Sequence, residues 1–358
     1  MGVGKVGVRA KGAACVGCPA FQLGKGFVLP TEPTSGRNGL VLIGSGPSSD
    51  EFLDGSPFTG FVGQRLEAWL SRAGLERSQL ALGHVVQCQL PYERGAPREP
   101  KAPEVEWCRK AHWEPWLARV QPRVVVPVGI GATKAFLGRQ AKANDIGNLH
   151  LVGNWLVLPI QSPSYILGGN WAEEPAQVEY LKYAKELTNG LEHSRPDFSQ
   201  PPPGVAFIYQ PTLTDLHKFQ ANIGPGGVVV DIETAGDHLR LVGLLARDNL
   251  DYLGFPLRSQ GGAGYWSQSD LPAAVQWLWE LLADPNVPKT FHNGSSFDVP
   301  MLERNGFVVS GYVFDTMLAA HVAYPGVPKG LEELTKVHLR AGGWKSLVKM
   351  DAETGEAK

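Results

Sequence analysis

Cysteine and methionine are scarce in this chain, with four of each in 358 residues. So few cysteines, behind an N-terminus (Met1 to Ala14) with no hydrophobic signal core, argue against a disulfide-stapled secreted scaffold. A reducing compartment is expected instead, where thiols ligate metals rather than each other. No apolar run is long enough to span a bilayer, which argues against a helical membrane protein. Charged residues make up only 19% and nearly cancel, to a net charge of −2, so the molecule is not a uniformly basic nucleic-acid binder. Internal repeats and long low-complexity tracts are also missing, which excludes solenoids and disordered tails.

What is present is unevenly placed. Residues 1–150 carry 18 Lys+Arg against 12 Asp+Glu, and residues 201–358 carry 12 against 17. A mildly basic front suits a phosphate backbone, and an acidic rear suits a solvated surface or divalent cations. The four cysteines, Cys15, Cys18, Cys88 and Cys108, read as one site. They form a C-x2-C, then 69 intervening residues, a third cysteine, then 19 more to the fourth. Four converging thiolates hold either a zinc ion or an iron–sulfur cluster.

The length predicts two domains. Residues 189–204 contain NGLEHSRPDFSQPPPG, a polar stretch ending in three prolines that reads as a stiff linker. Residues 1–188 and 205–358 are then the two domains. In the first, GLVLI (39–43), 80–86, 123–128 and 155–159 read as strands, alternating with helices over 62–73, 133–137 and 173–187. That alternation predicts an α/β fold with a mostly parallel sheet and functional loops at strand C-termini. In the second, strands are expected at 205–209, 228–232, 239–246 and 250–254, the last two as an antiparallel hairpin, with helices at 213–221 and 271–282.

The strand GVVVDIETAG places Asp231 and Glu233 two residues apart, on one face. Downstream, HNGSSFDVPMLERNGF supplies Asn293, Phe297 and Asp298, and FDTMLAAHVAYPGVPKGLEEL supplies Asp315 and a Gly330-Leu331-Glu332-Glu333-Leu334 helix start. In this order the segments resemble the DEDD superfamily of 3′–5′ exonucleases, and especially the proofreading domain of family A DNA polymerases, over about residues 205–350. The resemblance implies a ribonuclease H-like mixed sheet and two Mg2+ or Mn2+ ions held by Asp231, Glu233 and Asp298. It also implies a water positioned by Glu233, and a 3′-terminal nucleotide lined by Thr234, Asn293 and Phe297. His292 is expected to support loop packing, and Asp315 to cap the following helix. The family's last motif, Tyr or His followed four residues later by Asp, is not found: Leu347 stands four before Asp351. The chain therefore reads as ending before that motif, with a polymerase module expected beyond it and reduced nuclease activity in this piece.

Residues 44–63, GSGPSSDEFLDGSPFTGFVG, are similar to the first motif of the family-four, iron–sulfur uracil-DNA glycosylases, with Gly44, Gly46, Pro47, Glu51 and Phe58 among the shared positions. HVVQCQLP and Trp107-Cys108 match the segments carrying the third and fourth cysteines. PIQSPSYILGGN occupies the place of a His-Pro loop. The resemblance, over about residues 10–187, implies a three-layer α/β/α domain, a 4Fe-4S cluster on the four cysteines, and an aromatic, Phe58, that stacks on a flipped base. Three positions depart from it. The family's acid is Ser45, its base-reading asparagine is His84, and its histidine is Ser162, followed by Pro163 and Ser164. Serine hydroxyls stabilise a developing base anion or sugar cation poorly. Ser162 and Ser164 remain candidates for a phosphate, and His84 for a base edge. Arg65, Arg72 and Arg77 are expected on a solvated helix face. The function expected is a metal-dependent 3′–5′ exonuclease joined to a glycosylase-like DNA-binding domain, in the cytoplasm of a bacterial or phage-infected cell. Base excision, or silent DNA binding, are the alternatives.

Overall fold

Short runs of β-branched residues, each ended by glycine, proline or a polar turn, become the strands of two separate sheets. The computed structural model describes residues 13–23, 25–36, 38–93, 95–191, 204–259, 263–324 and 328–340. It divides into two compact units. Among the described residues, 13–191, 328 and 332–340 belong to the first unit, and 204–259, 263–324 and 329–331 to the second. Most of the expected linker, and the segment holding Leu347 and Asp351, lie outside the described residues.

The first unit is built on strands β1 (Leu40–Gly44), β2 (Ala81–His84), β5 (Val124–Val128), β6 (His150–Val152) and β7 (Trp155–Val157), in the order β2-β1-β5-β7-β6. A two-residue hairpin, β3 (Tyr92–Glu93) with β4 (Ala96–Pro97), stands apart. β1 runs parallel to both neighbours, and β7 runs parallel to β5. The sheet is mostly parallel, as expected, and the edge strand β6 alone is antiparallel. The Gly153–Asn154 turn explains this: a two-residue glycine-containing loop returns the chain as a hairpin, with Gly153 at φ +58°.

Both faces of this sheet are buried, so β1 and β5 read as continuous apolar runs. Leu40 and Leu42 pack into one core with Trp69 and Leu70 of α2 (Gly60–Arg72), Ile166 of α6 (Pro163–Leu167) and Leu181 of α7 (Glu174–Thr188). Val41 and Ile43 pack into the other with Trp116 of α4 (Glu114–Val120) and Phe136 of α5 (Ile130–Leu137). The result is three layers, α/β/α. Short α1 (Ser49–Asp54) follows β1, and α3 (Ala102–Cys108) runs into a π-helical turn, Arg109–Trp113, before α4.

The second unit carries β8 (Phe207–Ile208), β9 (Val228–Ala235), β10 (His238–Ala246), β11 (Tyr252–Pro256), β12 (Lys289–Phe291) and β13 (Tyr312–Asp315), ordered β13-β12-β9-β10-β11-β8. β9, β10 and β11 form an antiparallel meander, while β12, β13 and β8 join in parallel. Val228, Val230 and Ile232 of β9 face a core shared with α8 (Leu213–Ala221), α9 (Leu271–Ala283) and α10 (Asp298–Arg304). α11 (Thr316–Ala323) buries none of its residues. α12 (Leu331–Leu339), which carries the GLEEL start expected in the rear domain, falls with the first unit from Glu332 onward. There Val337 joins the α2/α7 core, and Arg340 lies over the Tyr183 ring at 5.2 Å.

Candidate functional site

The period-2 alternation of β9 sends Asp231 and Glu233 outward while Val230 and Ile232 point into the core. Opposite Asp231 in register stands Gly243, and a side chain there would meet the Tyr252 hydroxyl at 3.1 Å. The glycine keeps the sheet open beside Asp231. β12 pairs with β9 only at Val228 and Val229. Beyond that point Asp298, buried at the head of α10, takes a hydrogen bond from the main chain of Ile232, between the two strand acids. Burial, then the negative charge of Asp231, push the Asp298 carboxyl up to about 6.

Among the described residues no three His, Cys, Asp or Glu side chains gather into a set that could hold an ion. Asp298 feels the charge of Asp231, and Glu233 shares the strand face of Asp231. The donor set is all carboxylate oxygen, the chemistry that Mg2+ and Mn2+ take.

The other expected residues of this site surround it unevenly. Phe297, next to Asp298, is 45% exposed, so its ring is free to stack. Asn293 sits in the left-handed region at φ +63°, with its N–H given to Asp315 Oδ1 at 3.0 Å. Thr234 continues β9, half-buried. His292 Nδ1 lies 2.8 Å from Thr316 Oγ1, a loop-packing contact. Asp315 caps α11 through the N–H groups of Met317 and Leu318, and also accepts from Gly294 N–H and the Tyr312 hydroxyl. Burial would raise its pKa, but these donors outweigh it and hold the carboxyl below its ordinary value.

In the first unit the four cysteines line one cavity together with Phe21, Phe27, Trp107 and His112. Cys15 closes a 3-10 turn, Cys88 follows β2, and Cys108 ends α3. Hydrogen bonds between Lys25 and Gln89 tie the N-terminal segment to the Cys88 strand. Burial first, and then the neighbouring Cys88, Cys18 and Cys15, push the Cys108 thiol up to about 12, against a main-chain hydrogen bond at Gln87. Gly17, inside the C-x2-C, lies under the Trp107 indole, whose Nε1–H bonds Ala14 O at 2.9 Å. A Cβ at position 17 would stand 2.3 Å from that ring. Gly17→Ala is therefore expected to displace Trp107, destabilise this corner by about 1–3 kcal/mol, and lower metal retained per chain, measured by elemental analysis.

Sequence spacing did not single out His112. Its Nε2 lies 3.2 Å from Cys15 Sγ, and its ring meets Phe27 edge-on at 4.9 Å. The available signal was Cys108-x3-His112, a spacing that puts both residues on one side of a helix.

The glycosylase-like motif folds around Glu51. Its carboxylate accepts from Ser48 N–H at 2.6 Å and Phe58 N–H at 2.5 Å, and stands 3.0 Å from His84 Nε2. Burial opposes ionisation, but the charge and hydrogen bond of His84 and the bonds from Ser48 hold its pKa at about 2. Phe58 takes φ +53°, unusual for a bulky residue, and Arg77 clamps the turn by donating to Pro57 O at 2.5 Å and Phe58 O at 3.1 Å.

The slot is filled. The Phe58 and His84 rings lie 5.2 Å apart, and both side chains are buried. A Cβ on Gly44 would fall 2.8 Å from His84 Nδ1 and 3.2 Å from Phe58 Cζ. Pro47 is buried below, and Gly46 faces open space except for Val86 O at 3.5 Å. Ser162 Oγ caps α6 through Tyr165 N–H and lies 2.7 Å from Ser164 Oγ. The arginines meet the expected solvated helix face unevenly: the Arg72 side chain is exposed, Arg65 is half-buried, and Arg77 lies beyond α2 in a separate turn. Arg65 and Arg72 both bond Glu174, a buried acid at the start of α7, because a carboxylate in the helical layer needs cations beside it.

A second feature was also missed. Glu99 and Ser45 converge on Gly131, at 2.1 and 2.5 Å from where its Cβ would stand, at the rim of a cavity of about 640 Å³ that includes Lys134, Phe136 and Trp155. Burial raises the Glu99 pKa, against the pull of Lys134. No sequence pattern marks Glu99, which reaches the end of β1 from a loop.

Residues 29–185 match the uracil DNA glycosylase superfamily, and residues 212–352 match the 3′-5′ exonuclease family of DNA polymerase A. The type-4 uracil-DNA glycosylase of Pyrobaculum aerophilum is 33% identical over 140 residues, which are 37% of this chain and 66% of that protein. The type-4 enzyme of Thermotoga maritima is 30% identical over 159 residues, 43% of this chain and 78% of that protein. Among solved structures, the POL domain of Pol1 from M. smegmatis with DNA and dNTP has 22% identity, covering 37% of this chain and 23% of that one at a TM-score of 0.30. Brucella melitensis NrnC with bound Mg2+ has 21% identity, covering 42% and 70% at a TM-score of 0.27. Likenesses this low add nothing to the fold read from the strand order. No helix among the described residues is long and apolar enough to cross a membrane.

Proposed function

Because the chain belongs through residues 29–185 to the uracil-DNA glycosylase superfamily, we propose that it acts on DNA with a cluster-bearing front domain that holds the strand and a rear domain that trims 3′ ends. Asp231, Glu233 and Asp298 would hold two divalent ions. Those ions supply, when bound, an activated water and a neutralised leaving oxygen. The chain's own residues do the rest. Phe297 offers a ring to the terminal base, Thr234 and Asn293 border the nucleotide, and Glu233 orients the water. The observation that carries this reading is Asp298, bonded to the main chain between the two strand acids, with its carboxyl raised by burial first and then by the charge of Asp231. Carboxylates placed this way favour a cation.

Tethering a DNA-holding domain to a nuclease raises the local concentration of ends, and a polymerase module is the partner we propose. The test is a 5′-labelled single-stranded oligonucleotide. It should shorten stepwise from its 3′ end with Mg2+ or Mn2+ present and stay intact with EDTA. Internal cuts, or shortening that ignores EDTA, would overturn the reading.

A 4Fe-4S cluster is the group proposed for the four cysteines. They share one cavity, and type-4 uracil-DNA glycosylases are among the relatives of this domain, which supports a cluster there. Base excision is the weaker reading, because His84 and Phe58 fill the base slot against Gly44. A uracil-bearing oligonucleotide in EDTA should yield no abasic sites above background. Sites appearing at rates that rise with protein would reverse that.

A further inference from the structure

We propose that His112 is a positioning residue for the cluster: its imidazole N–H donates to the Cys15 sulfur and sets how readily the bound cluster is reduced. The inference rests on the cluster reading above. Three observations carry it. His112 Nε2 stands 3.2 Å from Cys15 Sγ, within range of a hydrogen bond to sulfur. The imidazole lines the same cavity as all four cysteines. It is also presented by a π-helical turn, Arg109–Trp113, inserted directly after Cys108 and between two α-helices.

A π turn widens the helix and re-aims the side chains that follow it, and such turns recur at functional positions. Here it lets one continuous segment supply a thiolate from Cys108 and a ring nitrogen from His112 to the same space. The ring also meets Phe27, which lines the same cavity, edge-on at 4.9 Å, a contact that supports its orientation. Cys15 belongs to the N-terminal segment, 97 positions away in sequence. The contact therefore also pins the C-x2-C to the helical segment running from α3 into α4.

The chemistry follows from where charge goes on reduction. An added electron spreads onto the thiolate sulfurs, and an N–H pointed at one of them stabilises that extra charge. Hydrogen bonds to cluster sulfurs are among the terms that set reduction potential. His112 should make the cluster easier to reduce than the same cluster without it.

The experiment compares His112→Phe, which keeps a ring against Phe27 and loses the N–H, with His112→Gln, whose amide can restore a donor near the Nε2 position. Iron per chain is measured first, then the midpoint potential by spectroelectrochemistry. The expected result is iron content equal to wild type in both variants, a potential shifted negative in His112→Phe, and most of the shift recovered in His112→Gln. An unmoved potential in His112→Phe overturns the inference and leaves the cluster reading standing. Equal shifts in both variants, or iron lost from both, also overturn it, because the ring would then be packing alone. Zinc in place of iron in the wild-type protein defeats the cluster reading itself.

Discussion

Asp231→Ala is expected to lower 3′-end trimming by about a thousandfold or more, the scale of losing a charge-stabilising group worth several kcal/mol in the transition state. The variant should fold. Asp231 points away from the core on an exposed face of β9, and its neighbours Val230 and Ile232 carry the packing. Removing it also relieves the repulsion on Asp298, whose carboxyl it helps push up to about 6. The metal-free variant should therefore unfold no more easily than wild type, and somewhat less easily near neutral pH. Stepwise shortening of a labelled oligonucleotide measures the first effect, and urea unfolding in EDTA measures the second. A variant that trims at the wild-type rate would remove Asp231 from the metal site. A loss of both activity and stability would make it a structural acid.

Glu51→Gln should be the most destabilising single change in the first unit that leaves shape nearly intact. The carboxylate is almost fully buried and held at about 2 against an ordinary 4.5. At about 1.4 kcal/mol per unit, the charge contributes on the order of 3 kcal/mol. The folded carboxyl loses its proton more readily than the unfolded one. Its contribution is thus complete above about pH 4.5 and disappears as pH falls towards about 2. Wild type and variant should differ by about 3 kcal/mol at pH 7 and converge near pH 2. A gap that stays constant with pH would mean that shape, not charge, is the source. The turn it holds, with Phe58 in a left-handed conformation, should loosen with it, visible as faster amide exchange at Phe58.

Where local chemistry decides structure, the residues could be read in advance. The valine runs at 124–128 and 228–232 became strands, and Leu213–Ala221 became a helix with both ends as expected, since Thr212 and Asp215 form a capping box. The pair Asp231 and Glu233 shares a face because a strand alternates by two. The misses share one cause, contacts between residues far apart in the chain. His112 meets Cys15, Glu99 reaches Gly131 beside Ser45, and Arg65 and Arg72 find Glu174, none of which periodicity can see. The filled slot behind Gly44 is of the same kind. Spacing places His84 at a strand end, but only packing shows its ring against Phe58.

Asp315 invites a misreading in any mutational survey of acidic residues. It adds to the charge that Asp298 feels, yet both its oxygens are taken by main-chain donors and a tyrosine. Replacing it would scramble the loop that carries Asn293 and Phe297, and nuclease output would collapse much as if a cation ligand had gone. An activity screen alone would then count one acid too many. Added Mn2+ could not restore such a variant, because what it lacks is the shape of the loop.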